Sequence, residues 1–252
     1  MTPRAFVFDI DRTLTASKEA IEPSMAELLT KLINRAPVGI ITGGPMSVIT
    51  ANVLSHLASE TRLSNLYVLP TSGAALYTYT GGAWVARYAH ELNPHDVAAI
   101  DAAITAACEE TGLVNLSEKS YGDIVEHRGP QVTLSALGQN APVDLKEKWD
   151  VNGTKKRMLR DAIAKRLPSF DVKTGGATSV DVTQHGINKA YGVRQLATLL
   201  GTDPVDMLYV GDALYPGGND EVVKETGIET RQVSGPNETK QVIADLLVGV
   251  SN

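Results

Sequence analysis

The chain has 252 residues, 43% hydrophobic and 21% charged, which excludes a disordered or low-complexity chain and leaves room for one large domain or two modest ones. A formal net charge of −6 does not fit a sequence-independent nucleic-acid binder, so no nucleic-acid partner is expected. The single cysteine, Cys108, excludes an intramolecular disulfide and a thiolate metal cluster.

In chain order, Met1-Thr2-Pro3-Arg4 leads into the apolar run Ala5-Phe6-Val7-Phe8, which reads as a buried strand. No apolar stretch approaches the ~20 residues of a membrane span, so a cytoplasmic location without a membrane partner is expected. Residues 23–35 carry Met25, Leu28, Leu29, Leu32 and Ile33 at helical spacing, and Pro37 stops that helix. Residues 38–42 read as a second buried strand, 43–58 as a Gly-Gly-Pro loop and helix, and 66–69 as a third strand. Strand and helix alternating at this interval predict a parallel sheet with crossover helices.

The rhythm then changes. Residues 74–80 and 83–88 flank Gly81-Gly82, a hairpin signal. A helix over 94–110, a strand over 131–136, a basic helix over 154–166 and strands over 169–173 and 178–183 follow. Within this stretch Cys108 has helical neighbours, which mark it as a small buried hydrophobe. Hairpins beside helices indicate a second, α+β domain inserted at about 87–184. The first rhythm resumes with a helix over 188–200, a strand over 207–210, a Gly- and Asp-rich loop to 220, a short helix over 222–225, a strand over 229–233 and a last helix over 237–247.

Asp9 and Asp11 follow the first strand at i, i+2, so both face one site at its carboxyl end. Like carboxylates this close resist joint ionisation unless a cation lies between them, and a divalent metal is the simplest reason for the pair. Thr42, Lys189, Asp212, Asn219 and Asp220 stand at the other strand and helix boundaries of the first rhythm. A carboxylate nucleophile, a second acid, a hydroxyl, a lysine and downstream acids make up a phosphoryl-transfer set. Taken singly, an Asp after a strand is commonly a cap or turn residue and a lone lysine a surface charge. Their order and spacing carry the inference. The five histidines form no ligand spacing, and none is assigned to metal.

Asp9-Ile10-Asp11-Arg12-Thr13-Leu14-Thr15, Thr42, Lys189, and Gly211-Asp212 with Gly217-Gly218-Asn219-Asp220 resemble the four signatures of the haloacid dehalogenase (HAD) superfamily. The closer resemblance is to the eukaryotic-type phosphomannomutase-like branch of subfamily IIB, which Gly175-Gly176 and Ser179-Val180-Asp181-Val182 also resemble. The resemblance implies an α/β protein: a Rossmann-like HAD core, with a parallel sheet and helices on both faces, at 1–86 and 185–252, and an inserted α+β cap at 87–184 that closes over the site. It implies Asp9 as nucleophile, Asp11 as acid and base, and Thr42, Gly43 and Lys189 holding the transferring phosphoryl. Mg2+ is the implied cofactor, held by Asp9, the Asp11 carbonyl and Asp212, with Asn219 or Asp220 in or near its shell.

A mutase of this branch also binds a distal sugar phosphate through basic residues, for which Lys18, Arg128, Gln139 and Lys146 stand in the corresponding places, with Ser179 and Asp181 on a cap strand. Glutamine is neutral and lysine lacks the bidentate fork of arginine. The expected function is therefore a Mg-dependent phosphatase acting on a small sugar phosphate. The alternatives are a phosphomannomutase and a non-catalytic sugar-phosphate binding protein. The branch's habit of pairing through the cap makes a homodimer an expected partner. Arg12 replaces a glycine usual after the second aspartate, and its purpose is not evident from the sequence.

Overall fold

The computed structural model describes residues 3–16 and 19–249. The chain forms two compact units, one of Met1–Ala89 with Asn188–Asn252 and the other of His90–Ile187. The first is built on a seven-stranded sheet of β1 (Ala5–Phe8), β2 (Val38–Ile41), β3 (Leu66–Leu69), β4 (Ala75–Thr80), β5 (Ala83–Ala89), β10 (Met207–Gly211) and β11 (Glu229–Gln232). Its order is β11-β10-β1-β2-β3-β4-β5. Strands β11 to β3 run parallel, while β4 and β5 pair antiparallel. The expected α/β class holds, and the hairpin extends this sheet, which is mixed rather than parallel throughout.

Strand β1 is fully buried because both faces are covered. Phe6 and Phe8 pack with α1 (Pro23–Ile33) and α7 (Pro236–Gly249), through Met25, Leu29, Leu32 and Ile243. Ala5 and Val7 point the other way, against Val193, Leu196 and Ala197 of α6 (Lys189–Leu200). Burial of each large side chain contributes roughly 1.5–3 kcal/mol, which fixes the register that delivers Asp9. The helix expected to run to residue 58 is shorter. Helix α2 covers Met46–Asn52, and a 3-10 turn follows at Leu54–His56. The run Val48-Ile49-Thr50 is β-branched, which disfavours helix extension, and Val53 departs to φ −126°.

The second unit carries a four-stranded antiparallel sheet ordered β6-β7-β9-β8, from β6 (Val125–His127), β7 (Gln131–Ser135), β8 (Phe170–Thr174) and β9 (Ser179–Gln184). Val132, Leu134, Val172, Val180 and Val182 form one core with α3 (Pro94–Thr111) and α5 (Thr154–Ala164). That core includes Cys108, whose thiol is pushed up to about 11 by burial. Strand β6 and helix α4 (Val143–Trp149) have no counterpart in the sequence reading, being too short to show a period. The start of α5 is held by Asp150, which accepts the backbone N–H groups of Lys155 and Lys156. Among the described residues no helix is long and apolar enough to cross a membrane.

Candidate active site

Strand β1 ends at Phe8, and the next residue, Asp9, is buried with its N–H bonded to the Val210 carbonyl. The chain then turns tightly. The Ile10 carbonyl accepts from the backbone N–H groups of Thr13, Leu14 and Thr15. Arg12 takes φ +57° within this turn. A left-handed non-glycine residue costs about 1–2 kcal/mol, which is the physical reason a glycine is at home there. Asp11 is partly buried and bridges to Thr15.

Lys189 is the first residue of α6, and the cap of that helix is the Asn188 side chain, which accepts from the Tyr191 N–H. The lysine is buried to 2% exposure, and its Nζ donates to Asp9 Oδ1 and Asp220 Oδ1, each at 2.6 Å. Tyr209, in the middle of β10, donates from its hydroxyl to the same Asp220 oxygen at 2.6 Å and lies 3.4 Å from Lys189 Nζ. The other Asp220 oxygen accepts the Ala213 N–H. Gly211 is required here, because a Cβ at that position would meet Asp220 Oδ2 at 2.5 Å.

Burial pushes the Asp9 carboxyl up to about 8, with Lys189 opposing and Asp220 and Asp11 adding to the rise. Burial by itself would drive the Lys189 proton off, but Asp220 and Asp9 outweigh it and hold the ammonium charged. The phenol of Tyr209 is kept protonated by burial and by Asp220.

Sequence reading took Tyr209 as strand core and missed its hydroxyl. The signal was a tyrosine in an otherwise aliphatic, fully buried strand, whose O–H must find a partner. Tyr209→Phe is expected to destabilise the protein by about 1–2 kcal/mol, read as a lower denaturation midpoint at unchanged m-value. An unmoved midpoint would mean that the hydroxyl adds nothing net.

Oxygens of Asp9, Asp212 and Asp220 lie within 4.8 Å of one another. Asp212 is partly buried at the end of β10, and its pKa is raised by burial and by Asp220, with Lys189 and Arg12 opposing. Asn219 is exposed on the same loop. A set of carboxylate oxygens suits a hard divalent cation such as Mg2+. Asp9 and Asp212 fit that task better than Asp220, whose two oxygens already accept three donors.

Thr42 is buried at the end of β2, beside β1 in the sheet. Its hydroxyl accepts the Gly44 N–H at 3.2 Å, and Gly43 lies between the two. The loop after β3 clamps this segment: Thr71 N–H donates to the Gly44 carbonyl and Ser72 N–H to that of Thr42. Both residues have left-handed backbone.

The cap residues expected to bind the distal part of the substrate lie in the second unit, Ser179 and Asp181 on β9, Arg128 after β6, Gln139 in the loop after β7 and Lys146 in α4. Arg128 pairs with Glu126 at 2.6 Å. Gln139, with its amide oriented to satisfy both atoms, donates to Glu126 at 2.6 Å. Lys146 is buried and donates to the Gln139 carbonyl at 2.7 Å. Thr133 donates to Asp181 at 2.8 Å, and Asp181 is held up by burial and lowered by the nearby Arg128 charge. Ser179 alternates with the core residue Val180 and so shares the Asp181 face. Lys18 lies outside the described residues.

An acid pair closing the inner strand of such a sheet, with a buried lysine bridging it to the acid loop after β10, defines a phosphoryl-transfer enzyme of the HAD type. The IMP-bound, N-terminally truncated IMP-nucleotidase of Plasmodium falciparum has the same fold, with a TM-score of 0.70 at 16% identity over 98% of this chain and 68% of that one. The match to the eukaryotic phosphomannomutase family runs over residues 25–249, so the chain belongs to that family. A probable phosphomannomutase of Caenorhabditis elegans is 27% identical over 96% of this chain and 94% of its own. A phosphomannomutase of Triticum aestivum is 25% identical over 93% and 92%.

Proposed function

We propose that the protein is a phosphomutase that moves phosphate between the 1- and 6-positions of a hexose through a bisphosphate. The observation that carries this reading is the 2.6 Å Lys189–Asp9 pair in a chain that matches the phosphomannomutase family along most of its length. A phosphatase was the first expectation from Gln139 and Lys146, and it is not confirmed. The names of the relatives favour the mutase.

In this reading Asp9 attacks phosphorus in line, forming a P–O bond to its carboxylate as the bond to the sugar oxygen breaks. Asp11 gives its proton to that oxygen and recovers one from the incoming hydroxyl. Lys189 balances the charge of Asp9 and of the phosphoryl oxygens, and Thr42 with the Gly43 backbone positions them. Asp9, the Asp11 carbonyl and Asp212 would hold Mg2+, with Asn219 and Asp220 beside them, and the ion supplies charge neutralisation at the phosphoryl group when bound. Arg128, Gln139, Lys146, Ser179 and Asp181 would receive the sugar and its second phosphate, together with Lys18. A homodimer formed through the cap rests on the resemblance alone, and a cytoplasmic location is an expectation from the sequence pattern.

Incubation of mannose 1-phosphate with Mg2+ and a trace of glucose 1,6-bisphosphate is expected to yield mannose 6-phosphate, and EDTA to stop it. Stoichiometric free phosphate without the 6-phosphate would overturn the mutase in favour of the phosphatase.

A further inference from the structure

Tyr209 is fully buried in β10, between Leu208 and Val210, and makes or breaks no bond in the transfer. In the sheet it pairs with Val7 of β1, two residues before Asp9, and its ring packs with Val7, Leu214 and Val223. Gly211 leaves the room for it: a Cβ there would meet the Tyr209 ring at 2.8 Å as well as Asp220 at 2.5 Å. A phenol buried in such a strand is unfavourable unless its O–H is paired, whereas phenylalanine fills the same space with no polar group to satisfy.

The partner of that hydroxyl is the informative part. It donates to Asp220 Oδ1 at 2.6 Å, the oxygen that also receives the Lys189 ammonium at 2.6 Å. Lys189 Nζ is equally close to Asp9 Oδ1 and makes a longer bond of 3.4 Å to the Tyr209 oxygen. Two carboxylates therefore compete for one ammonium. As Asp9 forms its bond to phosphorus it loses its carboxylate charge, and the phosphoryl oxygens become the groups that need the ammonium. Asp220 keeps its charge throughout, and unopposed it would draw Lys189 towards itself. A second short, charge-assisted donor on the same oxygen, fixed in a strand, takes up part of that charge and limits the pull. The Ala213 N–H on Oδ2 keeps the carboxylate from turning away from both donors.

We propose that Tyr209 is a positioning residue that acts through Asp220 to keep the Lys189 ammonium available to Asp9 and the phosphoryl group. The inference rests on the phosphoryl-transfer reading of Asp9 and Lys189, and it applies to a mutase and a phosphatase alike. Its effect falls on the transition state, where charge leaves Asp9 for the phosphoryl oxygens, more than on the bound ground state.

The test is calorimetric binding of orthovanadate and of inorganic phosphate, with Mg2+, to the parent protein, Tyr209→Phe, Asp220→Asn and the double variant. Vanadate takes the five-coordinate geometry of the transferring phosphoryl, and phosphate stands for the ground state. Each titration is run well below the variant's denaturation midpoint, so that stability lost with the hydroxyl does not enter. Tyr209→Phe is expected to weaken vanadate binding about tenfold and to leave phosphate binding within about twofold. In the Asp220→Asn background the same change should alter vanadate binding by less than about twofold, because the carboxylate through which it acts is gone. Unchanged vanadate affinity in Tyr209→Phe, equal loss for both ligands, or an equal loss of vanadate affinity with and without Asp220→Asn would each overturn the proposal. Failure of the parent protein to bind vanadate would overturn it together with the phosphoryl-transfer reading. Turnover of mannose 1-phosphate by the parent is measured separately. If no mannose 6-phosphate forms but the selective, Asp220-dependent loss of vanadate binding is seen, the mutase reading fails and the assignment of Tyr209 stands.

Discussion

Asp9→Asn is expected to abolish phosphoryl transfer, by on the order of 10,000-fold or more, because the amide cannot form the covalent intermediate. The same substitution should leave the protein as stable as its parent or more so at neutral pH in EDTA. The folded-state pKa of Asp9 is raised from 3.8 to about 8. Above 3.8 the unfolded chain therefore binds fewer protons than the folded one, and stability falls as pH rises from about 4 to about 8. Asparagine has no charge to bury and lacks that slope. The difference in Tm between variant and parent should accordingly widen in the variant's favour from pH 5 to pH 8. A variant that is inactive and also less stable at pH 8 would mean that Asp9 serves the fold, and its catalytic assignment would lose this support.

The site divides into a part legible in the sequence and a part that is not, and the division has a physical origin. Asp9 and Asp11 stand out because two acids at i, i+2 after four apolar residues face one site and resist joint ionisation without a cation. Asp212 and Asp220 stand out because glycines bracket them in the loop after a strand. Lys189 is visible only through its order relative to these, since nothing local says that a lysine opening a helix is buried. Tyr209 is the opposite case. Its hydroxyl matters because Asp220 comes back over β10, and that return depends on the close approach at Gly211. No pattern along the chain encodes such a contact.

Arg12 is visible as an anomaly, but its meaning depends on a backbone angle that one sequence does not contain. In the second unit, β7 and β9 alternate clearly enough to be read, while β6 is three residues long and α4 seven, each too short for a period. The hairpin β4–β5 was legible as a hairpin. Its attachment was not, because antiparallel pairing of β4 to β3 leaves no local mark.

Lys189→Met is expected to cost roughly 3–5 kcal/mol of stability in the unit that carries the site, besides removing activity. Methionine keeps most of the volume but leaves Asp9 and Asp220, each within 2.6 Å of the lost ammonium, buried without their cation. Protonation is the escape open to them. The deficit should therefore shrink as pH falls toward the carboxylate range and grow as pH rises, since a further raised folded-state pKa makes stability drain away above the unfolded value. A second substitution separates the two roles of the lysine. Adding Asp220→Asn removes one stranded charge, and the double variant should recover a large part of the lost stability, read as a coupling in a double-mutant cycle of urea denaturation midpoints. It should recover none of the activity, because the lysine's other task is to balance Asp9 and the phosphoryl oxygens, which the amide does not restore. Recovery of both would reduce Lys189 to a structural counter-ion; recovery of neither would show that Asp9, not Asp220, bears the penalty.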